Sequence, residues 1–106
     1  MTYNLIITEK AEKLLDNLVY YILKKLKNKS AAKHLLDEVE QIYTRLEENP
    51  YQFAECNDEY LNVKGYREAH LSNMKYIIVF YVESSQVYVV GFFHERELYS
   101  AKIKTS

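Results

Sequence analysis

The chain has 106 residues, 48% of them hydrophobic, only two of them glycine, and a formal net charge of −1. That length suits one domain, residues 1–106, burying about two-thirds of its unfolded surface, and the composition is too apolar for a disordered segment. With no long apolar run, no basic-then-apolar start and one cysteine, Cys56, no membrane span, secretory signal or disulfide framework is expected, and a cytoplasmic location is.

Residues 3–7 read as a short strand. Thr8 is an N-cap candidate ahead of Glu9 and Glu12, whose negative charge suits the positive end of a helix. Ala11, Leu14, Leu15, Leu18, Ile22 and Leu26 then recur at helical spacing, and Lys24, Lys25, Lys27 and Lys29 crowd the far end. Ser30 is expected to cap a second helix, whose inner face carries Leu35, Leu36, Val39, Ile42, Tyr43 and Leu46. Asn49-Pro50 ends it, because a residue before proline is pushed out of helical geometry. The link between the two is short, which predicts an antiparallel helical hairpin.

No period holds over residues 51–64, which read as a polar loop long enough to contact something. From 66 to 71 the residues alternate, with Tyr66, Glu68 and His70 on one face and Arg67, Ala69 and Leu71 on the other. Ser72-Asn73 turns the chain. Residues 76–82 and 87–93 are apolar on both faces, as interior strands are, with a hairpin turn at 83–86. Residues 100–106 read as a short helix or a tail. The expected fold is therefore α+β: an N-terminal strand, an α-helical hairpin, then a three-stranded antiparallel meander (β-α-α-β-β-β), with the helices packed on one sheet face. Net charge is −3 over residues 1–63 and +2 over 64–106, so a polyanionic partner would meet a local patch rather than a global field.

This order, with particular residues, resembles the RelE/ParE superfamily of toxins from bacterial type II toxin–antitoxin systems. Ala11, Leu15, Tyr21-Ile22, Ala32, Leu46 and Asn49-Pro50 look like the helical half of ParE-like members. Gly65-Tyr66-Arg67, Phe80-Tyr81-Val82, and His94 with Arg96 look like the sheet half of the superfamily. The resemblance covers nearly the whole chain and implies two activities on one scaffold. ParE-like members bind DNA gyrase and stall it; RelE-like members are metal-independent endoribonucleases acting on mRNA, usually at the ribosome. Fold alone does not choose between them.

RNA cleavage without a metal needs a base, an acid and cations around the phosphate. The groups on offer are Arg67, His70, His94, Arg96 and Tyr99, with the histidines as acid or base, the arginines on phosphate, and Tyr99 stacking a base or donating a proton. Lys64, Arg67, Lys75 and Arg96 are the expected cations for binding a target or an antitoxin. Two departures weaken the ribonuclease. Ile77 follows Tyr76 where RelE-like enzymes carry an arginine, and Ala69 follows Arg67 where they alternate lysines. A missing cation of that kind is worth about 100- to 1000-fold in rate.

Plainer roles compete at each position. Arg67 can hold a surface ion pair, His70 can be structural, and His34 is expected to face solvent. Glu95 and Glu97 would hold the nearby cations. Cys56 reads as incidental, and Tyr3, Tyr76, Tyr81 and Tyr88 as packing. No spacing indicates a metal site, a cofactor loop or a Ser/His/Asp triad. The favoured expectation is a growth-inhibiting, plasmid-stabilising type of toxin that binds gyrase. The alternatives are an mRNA endoribonuclease and a non-toxic antitoxin-binding or repressor subunit. All three imply a cognate antitoxin from the adjacent gene in a toxin–antitoxin hetero-oligomer, held by an apolar stripe on the hairpin and the basic rim.

Overall fold

The computed structural model describes residues 2–97 and Ile103. Chain order is β1 (Asn4–Ile7), α1 (Glu9–Tyr20), a π-helical turn (Tyr21–Lys25), α2 (Lys29–Glu48), a 3₁₀ turn (Pro50–Gln52), α3 (Glu59–Val63), β2 (Tyr66–His70), β3 (Tyr76–Glu83) and β4 (Gln86–His94). The strands form one sheet in the order β1-β4-β3-β2, with β1 parallel to β4 and the other pairs antiparallel. This is the expected α+β architecture of a helical hairpin and a meander. The reading of 100–106 lies outside the described residues, Ile103 excepted.

The N-terminal helix starts as its sequence dictates, with the Ala11 N–H donating to Thr8 Oγ1 at 3.2 Å. Its regular part stops at Tyr20, earlier than the apolar period predicts. The backbone then widens into the π turn, where the Leu26 N–H donates to the Tyr21 carbonyl at 3.2 Å. Lys27 follows at φ 50°. Asn28, not Ser30, caps α2: its Oδ1 accepts from the Ala31 N–H at 3.0 Å. Both residue types cap well, and the early exit from α1 puts Asn28 at the helix entry. The far end of α2 behaves as expected, with Asn49 extended at φ −158° before Pro50.

Ala11, Ile22, Leu35, Val39, Ile42 and Leu46 of the hairpin are buried against Ala69, Ile78, Phe80, Val87, Val89 and Phe92 of the sheet. Val87, Val89 and Phe92 share a face despite their odd spacing. The β3–β4 register slips between Val79 and Phe80, so Val79 opposes Gly91 while Phe80 opposes Val89, leaving Val90 as a bulge. A Cβ at Gly91 would run into the Phe93 ring, which explains a glycine there.

The segment 51–64 corrects the polar-loop reading. Phe53, Cys56 and Leu61 are buried, and Asp58 caps α3 by accepting from the Leu61 N–H at 3.0 Å. Cys56 and Leu61 pack on Ile77, Val79 and Phe93, on the other face of the sheet, where Leu14 of α1 and Ile103 also pack. Further along that face Tyr66, Tyr81 and Tyr88 form a cross-strand ladder, with centroids 5.5 Å and 4.9 Å apart. Apolar side chains at irregular spacing build this second layer, so periodicity does not reveal it.

Candidate functional site

Strands β3 and β4 bring Lys75, His94 and Arg96 to one end of the sheet. Tyr76 is the cross-strand partner of His94, and their rings meet edge to face at 5.5 Å. The Glu95 N–H donates to the Lys75 carbonyl at 2.9 Å, locking the two chain segments together. Beyond the strand the chain turns at once: the Glu97 N–H donates to the His94 carbonyl at 2.9 Å, and Glu97 Oε1 accepts from the His94 N–H at 2.9 Å. Glu97 thus holds the turn itself. Arg96 and Lys75 are exposed, and among the described residues neither side chain forms an ion pair.

The His94 ring is fixed in tautomer as well as position. The Arg96 backbone N–H donates to His94 Nδ1 at 3.1 Å, and a backbone N–H has no lone pair to offer in return. The neutral ring therefore carries its proton on Nε2. Tyr76 beside it has its phenol pushed up, first by burial, then by Tyr21 and Glu97. Tyr21 is 48% exposed just past the end of α1. The apolar helical spacing does not include Tyr21, and no local signal relates it to Tyr76.

His70 sits at the same end but on the other face. It pairs across the strands with Ile77 of the second layer, whereas His94 pairs with Tyr76, which packs against the hairpin core. His70 Nε2 lies 3.1 Å from Glu68 Oε1, a carboxylate that is nearly buried. The two imidazoles do not face a common point.

Arg67 opposes Phe80, three residues (about 10 Å) along β2 from His70. Its guanidinium is only 20% exposed and is committed locally. Nη1 donates to the Phe53 carbonyl at 2.7 Å, Nη2 lies 3.5 Å from Glu55 Oε1, and the group stacks 5.0 Å above the Tyr51 ring. Lys64 is at the far end of β2, over the Tyr60 ring at 5.6 Å. Lys64 and Arg67 therefore stand apart from the Lys75–His94–Arg96 group, and Tyr99 lies outside the described residues.

Two further polar groups support the site from behind. Glu38, buried on α2, accepts from Ser72 Oγ and, at 3.3 Å, from the Asn73 N–H, tying the β2–β3 turn to the hairpin. His34, expected to face solvent, is half exposed and places Nε2 3.4 Å from Glu38 Oε2. Cys56 is chemically quiet: burial, then Glu68 and Asp58, push its thiol up to about 12. Among the described residues no cluster of three metal-ligating side chains occurs, and no helix is long and apolar enough to cross a membrane.

Residues 5–99 match the family model described as the ParE toxin of the type II toxin–antitoxin system, parDE. No curated protein sequence matches the chain. Among solved structures it is similar to a chain of the chromosomal ParDE toxin–antitoxin system from P. aeruginosa (TM-score 0.66, 20% identity, 88% of this chain and 96% of that one). It is also similar to a free E. coli RelE toxin variant (0.63, 18%, 99% and 98%) and to a chain of the RelBE2 toxin–antitoxin complex from Mycobacterium tuberculosis (0.58, 17%, 92% and 95%). At these identities the structural likeness speaks to fold alone.

Proposed function

The chain belongs to the ParE toxin family of type II toxin–antitoxin systems, and from that premise we propose that it stops growth by binding an essential target, DNA gyrase, without a chemical step of its own. The supporting observation is the separation of its ionisable groups. Cleavage of RNA without a metal needs an acid, a base and cations converging on one phosphate. Here His70 and His94 lie on opposite faces of the sheet, and the Arg67 guanidinium is spent on Phe53 and Glu55. Purified toxin is expected to block gyrase supercoiling while leaving mRNA intact in a translation extract. Intact supercoiling together with cut mRNA overturns the reading.

The grouping of Lys75, His94 and Arg96 favours the second reading, an mRNA endoribonuclease with His94 Nε2 as proton donor. In that case His94→Ala abolishes toxicity in a folded protein. Under gyrase binding it weakens affinity without any cleavage to lose.

The partner in either case is a cognate antitoxin from the adjacent gene, in a toxin–antitoxin hetero-oligomer. Leu26 and Leu36 are exposed on the hairpin, apolar ground that an amphipathic segment would cover while folding against it. An acidic stretch of the same antitoxin would neutralise Lys75 and Arg96. Co-purification of the two gene products tests the pairing.

A further inference from the structure

The largest concentration of positive charge in this protein lies on the hairpin tip, not in the sheet half where net charge is positive. Residues 17–36 contain Lys24, Lys25, Lys27, Lys29 and Lys33 and not one acidic residue, within a chain whose net charge is −1. All five lysines are exposed, and among the described residues none forms an ion pair. One or two cations in a last turn would satisfy the helix dipole. Five close together repel one another, a cost with no compensation inside the fold.

The backbone is irregular at the same place. The π turn at Tyr21–Lys25 and Lys27 at φ 50° end the helix while leaving Tyr20 60% and Tyr21 48% exposed. Tyr21 also helps to raise the Tyr76 phenol. The result is a hairpin tip on which exposed rings stand among exposed cations. Cations that track a backbone, beside rings that accept a base, are the requirements for holding single-stranded nucleic acid.

We propose that the hairpin tip is a binding site for single-stranded nucleic acid, with Lys24, Lys25, Lys27 and Lys29 on the phosphates and Tyr20 and Tyr21 against the bases. The site does not depend on which target the toxin stops. Nothing in it needs an acid, a base or a bond to break. Its affinity is set by counterion release from the strand, and it falls steeply with salt.

The test is fluorescence anisotropy of the full chain with a labelled 20-nucleotide oligodeoxythymidine at several salt concentrations. The expected slope of log affinity against log salt is about −3 to −4, which is about a 100-fold loss between 50 and 200 mM. A variant with Lys24, Lys25, Lys27 and Lys29 all changed to Gln keeps helix propensity and should flatten the slope by about 3. Tyr20→Ala with Tyr21→Ala should weaken binding about tenfold or more at an unchanged slope. Circular dichroism checks that both variants stay folded. No binding at 50 mM salt, or binding that the four-lysine variant retains, overturns the site. Equal or tighter binding of a 20-base-pair duplex, or displacement of the oligonucleotide by an equal charge of poly-glutamate, overturns the assignment to a single strand.

Discussion

The two faces of the sheet are covered by different means. On one, a 12-residue and a 20-residue amphipathic helix lay continuous apolar faces over Ile78, Phe80, Val87 and Phe92. On the other, a five-residue helix and an isolated Glu55–Arg67 bridge press Cys56 and Leu61 onto Ile77, Val79 and Phe93. The thin layer is held largely by polar anchors: the Asp58 cap and the Asn62 side chain donating to the Cys56 carbonyl at 3.1 Å. A face built from long periodic elements fails only with the whole fold, whereas one pinned at a few points opens by itself. The gradient also sorts function, because the exposed rings and cations of the candidate sites lie at the ends of the thick layer, where rigid elements position them.

The sharpest way to break this comparison is to cut a cavity in each layer. Phe80 is fully buried and meets Phe53 edge to face at 5.9 Å; Phe80→Ala should cost about 3–5 kcal/mol and accelerate hydrogen exchange throughout the protein. Leu61 is equally buried, and Leu61→Ala should cost about 2–5 kcal/mol by denaturation. Its exchange signature should differ, with rapid opening confined to residues 51–70 and the hairpin protected. Uniform acceleration in both variants would mean the two layers are one cooperative unit.

The thick layer was readable from residue order, and the thin one was not. Thr8, the helical spacing of Leu14 to Leu26 and Asn49-Pro50 each act within one turn of chain, so local rules place them. Leu61 and Cys56 are buried by contacts with strands that come later, and no period marks them. The Asp58-Glu59 pair ahead of Leu61 was the one available signal, an N-cap followed by acid in the first turn. At the site, the pairing of Lys75, His94 and Arg96 follows from a hairpin register that short strands define well. The separation of His70 from His94 depends on face parity, which the alternation at 66–71 implies for β2 but which no local signal sets for β4, whose bulge resets it.

A smaller effect reads the thin layer through proton linkage. The Cys56 thiol is pushed up from an ordinary value of 9.0 to about 12 in the fold. The folded state therefore keeps a proton that the unfolded state releases. Its contribution to stability is complete below pH 9 and is lost as pH rises from 9 towards 12. Between pH 9 and 10 the loss attributable to Cys56 is about 1 kcal/mol. Tyr43, Tyr66, Tyr76 and Tyr81 are also pushed up and add their own alkaline losses, so the informative quantity is the difference from Cys56→Ala. That variant should show a flatter stability profile over this interval. An identical slope would mean that the segment around Cys56 opens well before global unfolding.

The smallest expected effect, that of Glu55→Gln, separates a clamp from a charge pair. Arg67 has two partners of different quality: the Phe53 carbonyl at 2.7 Å, shielded from solvent, and the Glu55 carboxylate at 3.5 Å, itself 55% exposed. An exposed ion pair of that length is worth about 0–1 kcal/mol, so Glu55→Gln should leave the denaturation midpoint nearly unchanged. Arg67→Met removes the guanidinium and orphans a shielded carbonyl, and it should cost about 1–3 kcal/mol. If Arg67 instead serves a phosphate, Glu55→Gln would free it for that task, and the variant would become more toxic at equal stability. A drop in stability with Arg67→Met, and none in either stability or toxicity with Glu55→Gln, identifies the arginine as the bolt that fastens the segment after α2 to β2.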